Sequence, residues 1–280
     1  MVDKEAYKAL VERVGSSWGE VSKPQMKWYD KCRQINLWTY WQGIGVDKVD
    51  ILVVGQDWGK PFWPGTTGKK KLKQIDDNIE AINAGDLRTL YLPPGMTSPW
   101  ATDRNLAELI KEIKVDEKIL YEDVSSHRYD NLFFTNFCLG YRVVKETGDM
   151  TQEIMLKDSD HFKELVRCLN PKIIICIGKD TYECVLKTLF NIQLQLNSCD
   201  YMGMLNDGRN RVAGNYNNQN LIVYGMGHCG SMGVNINRKK FDENAFLDNV
   251  GKKGMDLMKE DWARISDDAK ALGIKSEIMV

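Results

Sequence analysis

The chain predicts an α/β protein with three α/β/α layers, a central, mainly parallel, four-stranded sheet, and extra helices at both termini. Four short apolar segments carry this prediction: DILVVG (50–55), NLFFTNF (131–137), KIIICIG (172–178) and NLIVYGMG (220–227). Such unbroken hydrophobicity belongs to strands buried on both faces. Amphipathic helical patterns stand between the segments, and that alternation puts crossover helices on both sides of one sheet.

Residues 1–47 read as an N-terminal helical extension of one or two helices, rich in tryptophan (Trp18, Trp28, Trp38, Trp41) at spacings that suit packing. The first strand follows, with Ile51, Leu52, Val53 and Val54. A helix runs from about Asn105 to Ile113, with Leu106, Leu109, Ile110 and Ile113 on one face behind a cap at Thr102 or Asp103. After the second strand, a helix spans about Asp158 to Cys168 and stops at Asn170-Pro171. The third strand leads into a helix that starts near Asp180. Residues 190–219 carry NDG (206–208) and NYNNQN (215–220), turn signals for a hairpin-like excursion before the last strand. Residues 240–272 read as one or two more helices, broken near Gly251 and Gly254. With no repeat, linker or compositional boundary, residues 1–280 form a single domain, with a core at about 48–250 and a C-terminal helical extension at 251–280.

The 280 residues are 43% hydrophobic and 28% charged, with a formal net charge of −1. There is thus no global attraction toward nucleic acid or anionic lipid, and any such binding has to come from a local patch. The seven cysteines are odd in number and show no Cys-x-x-Cys spacing, and Cys176 lies inside an apolar run. This pattern predicts free, buried thiols in a reducing compartment, without a disulfide framework or a cysteine-bound metal. The three histidines (His127, His161, His228) cannot build a His-rich metal site. No apolar run reaches the ~20 residues of a membrane span, so a cytoplasmic protein without membrane partners is expected.

In parallel α/β sheets, ligands bind beyond the carboxyl ends of the strands. The first strand end offers Gly55, Gln56, Asp57, Trp58 and Gly59; the second offers Thr135, Asn136 and Phe137. The third offers Gly178, Lys179, Asp180 and Thr181, and the fourth Gly227, His228, Cys229, Gly230, Ser231 and Met232. An acid, an asparagine and a histidine from three different strand ends can therefore converge despite their distance in sequence.

This set resembles the uracil-DNA glycosylase superfamily. GQDWG resembles its first catalytic motif, best known as Gly-Gln-Asp-Pro-Tyr-His. LFFTN resembles the strand that supplies a base-reading asparagine, GHCGSM the final His-Pro-Ser-type loop, and PKIIICIGKDTYECVL the third strand with its helix. The four stand in the family's order over about residues 48–250. The resemblance implies a DNA glycosylase of base excision repair that hydrolyses the N-glycosidic bond of uracil or a related damaged base, without cofactor or metal. In that role Asp57 orients water and stabilises the positive sugar, Asn136 reads the extruded base, and His228 donates toward uracil O2. Gly55, Gln56 and Gly59 would line the pocket, and Trp100 in SPWATDRNL occupies the segment of the base-stacking aromatic. The chemistry asks for these residue types in its own right. An oxocarbenium-like transition state is served by a carboxylate on the sugar side and hydrogen-bond donors on the base side, each donor worth ~3–4 kcal/mol in a dry site.

The chain also departs from the family. Trp58, Gly59 and Lys60 stand where proline, tyrosine and histidine follow the acid; glycine removes the gate against the thymine methyl and implies a substrate range beyond uracil. Cys229 and Gly230 replace proline and serine, which predicts a looser last loop. Met232, four residues past His228, suits an apolar wedge in the duplex. Ser231, Asn235, Arg238 and Lys239 supply DNA-backbone contacts, with Asn237, Lys240 and the cluster Lys69–Lys71 with Lys73 adding donors and charge. Two other functions fit the same residues: hydrolysis of a free nucleoside or other small N-glycoside, which the near-neutral charge suits, and non-catalytic binding of a nucleobase or nucleic acid.

Overall fold

The computed structural model describes residues 1–17, 26–27, 48–57, 101–122, 124, 129–142, 150–230, 233 and 254–278. Five strands form the central sheet: β1 (Ile51–Gly55), β2 (Leu132–Asn136), β3 (Ile173–Ile177), β4 (Arg211–Tyr216) and β5 (Gln219–Met226). Their order is β2-β1-β3-β5-β4, parallel except for the antiparallel β4–β5 pair. The expected four strands are thus joined by a fifth, at the edge. The turn-rich excursion pairs back on β5 through Asn217 and Asn218, both at positive φ (51° and 61°), with Tyr216 opposite Gln219. Two left-handed residues between paired strands make the tight hairpin turn whose twist matches the strands it joins.

Helices cover both faces. Alternate residues of each parallel strand enter opposite cores: Leu52, Val54, Phe133, Ile174 and Cys176 on one side, Ile51, Val53, Phe134, Ile173 and Ile175 on the other. The first side is covered by α1 (Lys4–Ser17), α4 (Ser159–Leu169), α5 (Lys179–Phe190) and α6 (Ser198–Asn206), with the short α3 (Gln152–Leu156) leading into α4. The second is covered by α2 (Ala101–Ile110), α7 (Gly254–Ala263) and α8 (Ile265–Ala271). Both chain flanks therefore reach the core, through Leu10 and Val14 of α1 and the fully buried Trp262 of α7.

Helix α2 starts at Ala101 and ends at Ile110, a few residues earlier than its apolar periodicity suggests; Thr102 and Asp103 lie in its first turn rather than ahead of it. Leu106, Leu109 and Ile110 are buried as the spacing requires, and Ile113 is buried just past the helix end. Helix α4 follows Asp158 and ends at Asn170 in the left-handed conformation (φ 53°), after which Pro171 bars continuation. The tryptophans of the N-terminal segment lie outside the described residues. Within that segment Met26–Lys27 is a strand, paired antiparallel with Tyr141–Arg142, where helix was expected.

Six cysteines are described, none in a disulfide; five are buried and Cys199 is exposed. Burial pushes the Cys176 thiol well above its ordinary range, which makes it an inert packing group. Among the described residues no helix is long and apolar enough to cross a membrane.

Strand order sets where a ligand can sit. The β1-to-β2 connection carries α2 on one face, and the β2-to-β3 connection carries α3 and α4 on the other. The chain therefore winds in opposite directions from β1 toward β2 and from β1 past β3, which opens a crevice between the carboxyl ends of β1 and β3.

Candidate active site

Asp57 leaves β1 at that switch point. Strand pairing fixes its approach: Gly55 lies in register with Asn136, and the ladder runs on beyond both strands. The Phe137 N–H donates to the Gly55 carbonyl at 2.8 Å, and the Cys138 N–H to the Gln56 carbonyl at 2.9 Å. The next amide, Leu139 N–H, donates to the buried Asp158 carboxylate at 2.8 Å, which anchors the β2 exit to the start of α4. Gln56 and Asp57 thus sit on a braced backbone while remaining only partly buried.

Asn136 ends β2 with its side chain laid against Gly55. A Cβ built on Gly55 would overlap the Asn136 Oδ1 and sit 3.4 Å from its Cγ. Glycine stands here because of close approach, not because of backbone conformation. Asn136 is 2% exposed, and its Nδ2 is buried with no hydrogen-bond partner. An unmet buried donor costs ~1–3 kcal/mol and calls for an explanation, such as a ligand that accepts from it.

His228 follows β5 by two residues. Its Nδ1 accepts the Gly230 N–H at 3.0 Å. In a neutral ring the proton then sits on Nε2, which becomes the donor. Burial lowers the imidazole pKa from its ordinary value, and the Asp57 charge raises it part of the way back. The residue keeps solvent-exposed surface, and the lowered pKa favours the neutral ring at pH 7. The same interaction joins the two residues electrostatically across the crevice.

The loop around the ring tolerates little substitution. A Cβ on Gly230 would meet the His228 ring at 2.9 Å (Cε1) and 3.0 Å (Nδ1) and the Thr102 Oγ1 at 3.3 Å; one on Gly233 would overlap the His228 carbonyl oxygen. Gly178, at φ 97° after β3, lies behind the histidine with its Cβ position 4.0 Å from the His228 Cβ. Cys229 is fully buried, and its carbonyl accepts from the Asn105 Nδ2 of α2 at 2.7 Å. The described start of that loop, residues 228–230, is held by a buried side chain, a helix donor and its own histidine; most of the rest lies outside the described residues.

Gly55, Gln56, Asp57, Asn136 and His228 accordingly gather at one end of the sheet. Gly59, Trp100, Ser231, Met232, Asn235, Arg238 and Lys239 lie outside the described residues, as do Lys69–Lys71 and Lys73. Asn105 was not visible as a site residue from sequence: a polar residue on the first turns of an amphipathic helix reads as solvent-facing, and its bond partner lies 124 residues away. A separate, water-sized recess, lined by Asn136, Phe137, Leu139, His161, Phe162 and Leu165, shares only Asn136 with this group. Its walls are mostly apolar and contain neither Asp57 nor His228, so the crevice is the better candidate. Among the described residues, no three His, Cys, Asp or Glu side chains gather to hold a metal ion.

An acid, an imidazole donor and an unmet amide donor at one end of the sheet suit a reaction in which one end of a substrate gains positive charge and the other negative. No protein-family model matches the chain, and no curated protein matches it.

Proposed function

We propose that the chain is a DNA glycosylase of uracil-DNA glycosylase type, acting on uracil or a related damaged base. The observation that carries the reading is the buried, unpartnered Nδ2 of Asn136, held on Gly55 at the end of the sheet that also carries the acid and the histidine. A base carbonyl accepting from Nδ2 while its N–H donates to Oδ1 would satisfy that amide with the complementary edge of a uracil.

The steps follow from charge. The C1′–N bond breaks, and its electron pair leaves with the base, whose negative charge collects on the oxygen facing the His228 Nε2–H. The sugar becomes oxocarbenium-like, and the Asp57 carboxylate stabilises it and orients a water. The water oxygen bonds to C1′, and its proton passes to the carboxylate and on to solvent. Gly59 and the basic and apolar residues after His228 keep the roles that the motif resemblance gives them.

Alkali-induced strand scission tests this on a labelled oligonucleotide with one uracil, single-stranded and opposite G or A. Wild type is expected to produce scission, and Asp57→Asn and His228→Ala to lose it. No scission by wild type on any of these substrates would overturn the reading for uracil. The formal charge of −1 favours a second reading, hydrolysis of a small N-glycoside. Salt separates the two: duplex binding weakens steeply as salt rises, whereas a neutral nucleoside is nearly indifferent.

A further inference from the structure

We infer that Asn105 is a positioning residue that locks the His228 imidazole in the tautomer with its proton on Nε2. It does so by holding the far edge of the peptide that sets that tautomer. The relevant group is the peptide unit between Cys229 and Gly230. Its carbonyl accepts from the Asn105 Nδ2 at 2.7 Å, and its N–H donates to the His228 Nδ1 at 3.0 Å. The described residues contain no cis peptide bond, so these two groups point to opposite sides of one rigid plane. The bonds from helix to carbonyl and from amide to imidazole therefore form a single series, in which each polarises the next.

Turning that plane over would reverse its chemistry. A carbonyl oxygen would face Nδ1, the ring would have to carry its proton there to meet it, and Nε2 would present a lone pair to the crevice. His228 would then accept where it is needed to donate. Gly230 has no side chain to obstruct such a turn, because its neighbours leave no room for one. Asn105 opposes that turn from a rigid mount, since the next residues of its helix, Leu106, Leu109 and Ile110, are buried in the core.

The tautomer lock stands apart from the proposed reaction; only its effect on rate rests on that reading. The test is ¹⁵N NMR of the imidazoles in the full chain, with the His228 signals assigned by their absence in His228→Ala. Wild type is expected to show Nδ1 unprotonated and Nε2 protonated. Asn105→Ala removes the donor, and Asn105→Asp keeps the shape while turning an ionised carboxylate toward the carbonyl. In both, the Nδ1–H form is expected to rise to a population comparable with Nε2–H. On a uracil substrate kcat is expected to fall about tenfold, a part of the ~10²–10³-fold effect of deleting such a donor outright, with KM within about twofold. Asn105→Ala only truncates a half-buried side chain, so it decides the question if the aspartate variant does not fold. An unchanged Nε2–H signature in a folded Asn105→Ala protein overturns the lock, even if wild type excises uracil. A shifted tautomer with no excision by wild type sustains the lock and refutes the glycosylase reading.

Discussion

Replacing Gly55 by alanine tests the site where its geometry is tightest. The residue lies in an extended strand, so alanine meets no backbone penalty and on its own restricts the unfolded chain, a gain of ~0.4–1 kcal/mol. The added methyl, however, overlaps the Asn136 Oδ1. Restoring ordinary carbon–oxygen separation requires the amide to retreat by about 1 Å from its buried position at the strand end. Overpacking of this kind costs ~1–3 kcal/mol of stability, partly offset by the unfolded-state gain. A ~1 Å misplacement of a substrate-positioning group costs about 10²-fold in rate, or ~2.7 kcal/mol of transition-state stabilisation. Single-turnover base release, read beside urea unfolding, measures both. The expected Gly55→Ala protein is folded, slightly destabilised and slowed by about two orders of magnitude. A wild-type rate with an unchanged urea midpoint would refute the close packing of Asn136 on Gly55.

Other outcomes follow from the same structure. Activity that depends on neutral His228 is lost as pH falls through its lowered pKa, on the acid side of the ordinary ~6.5. Because the unfolded chain takes up that proton at higher pH than the native ring does, stability rises with pH across the interval and none is gained above it. NMR titration of His228 should show a midpoint below that of a free histidine, falling further in Asp57→Asn, which removes the opposing charge. Asp158→Ala strands the buried Leu139 N–H and should lower urea stability by ~1–3 kcal/mol; Asp158→Asn, which keeps an acceptor, should recover part of it. Asn218→Ala forces a residue with a Cβ and no polar compensation into the left-handed conformation of the β4–β5 turn, a loss of ~1–2 kcal/mol, whereas Asn218→Gly should hold or raise the urea midpoint.

Much of this architecture is legible before any coordinates. Ile51–Gly55 and Ile173–Ile177 announce themselves because a strand flanked by sheet and covered on both faces can hold only apolar residues. Asn170-Pro171 marks the end of α4 through conformational chemistry alone. The edge strand β4 is harder to see. RVAGNY alternates half-buried and exposed positions and contains a glycine at Gly214, where Phe190 fills the space a side chain would need, so its identity depends on the partner strand. The same division runs through the site. Asp57, Asn136 and His228 stand out because strand ends collect chemistry, and their types match a reaction that separates charge. The overlap that demands Gly55, the glycines wrapped around the imidazole and the Asn105 bond to the Cys229 carbonyl are contacts between distant segments, and no local pattern encodes them.

The central claim is that Asn136 reads a base which Asp57 and His228 then help to release. It is tested most directly by quantifying the free base liberated from a uracil-containing oligonucleotide under single-turnover conditions, with wild type beside Asn136→Ala. The account predicts uracil release by wild type and a fall of about 10²–10³-fold in the variant, the scale of losing a preorganised donor at the reacting group. Equal release by the two proteins, or none by wild type, would contradict it.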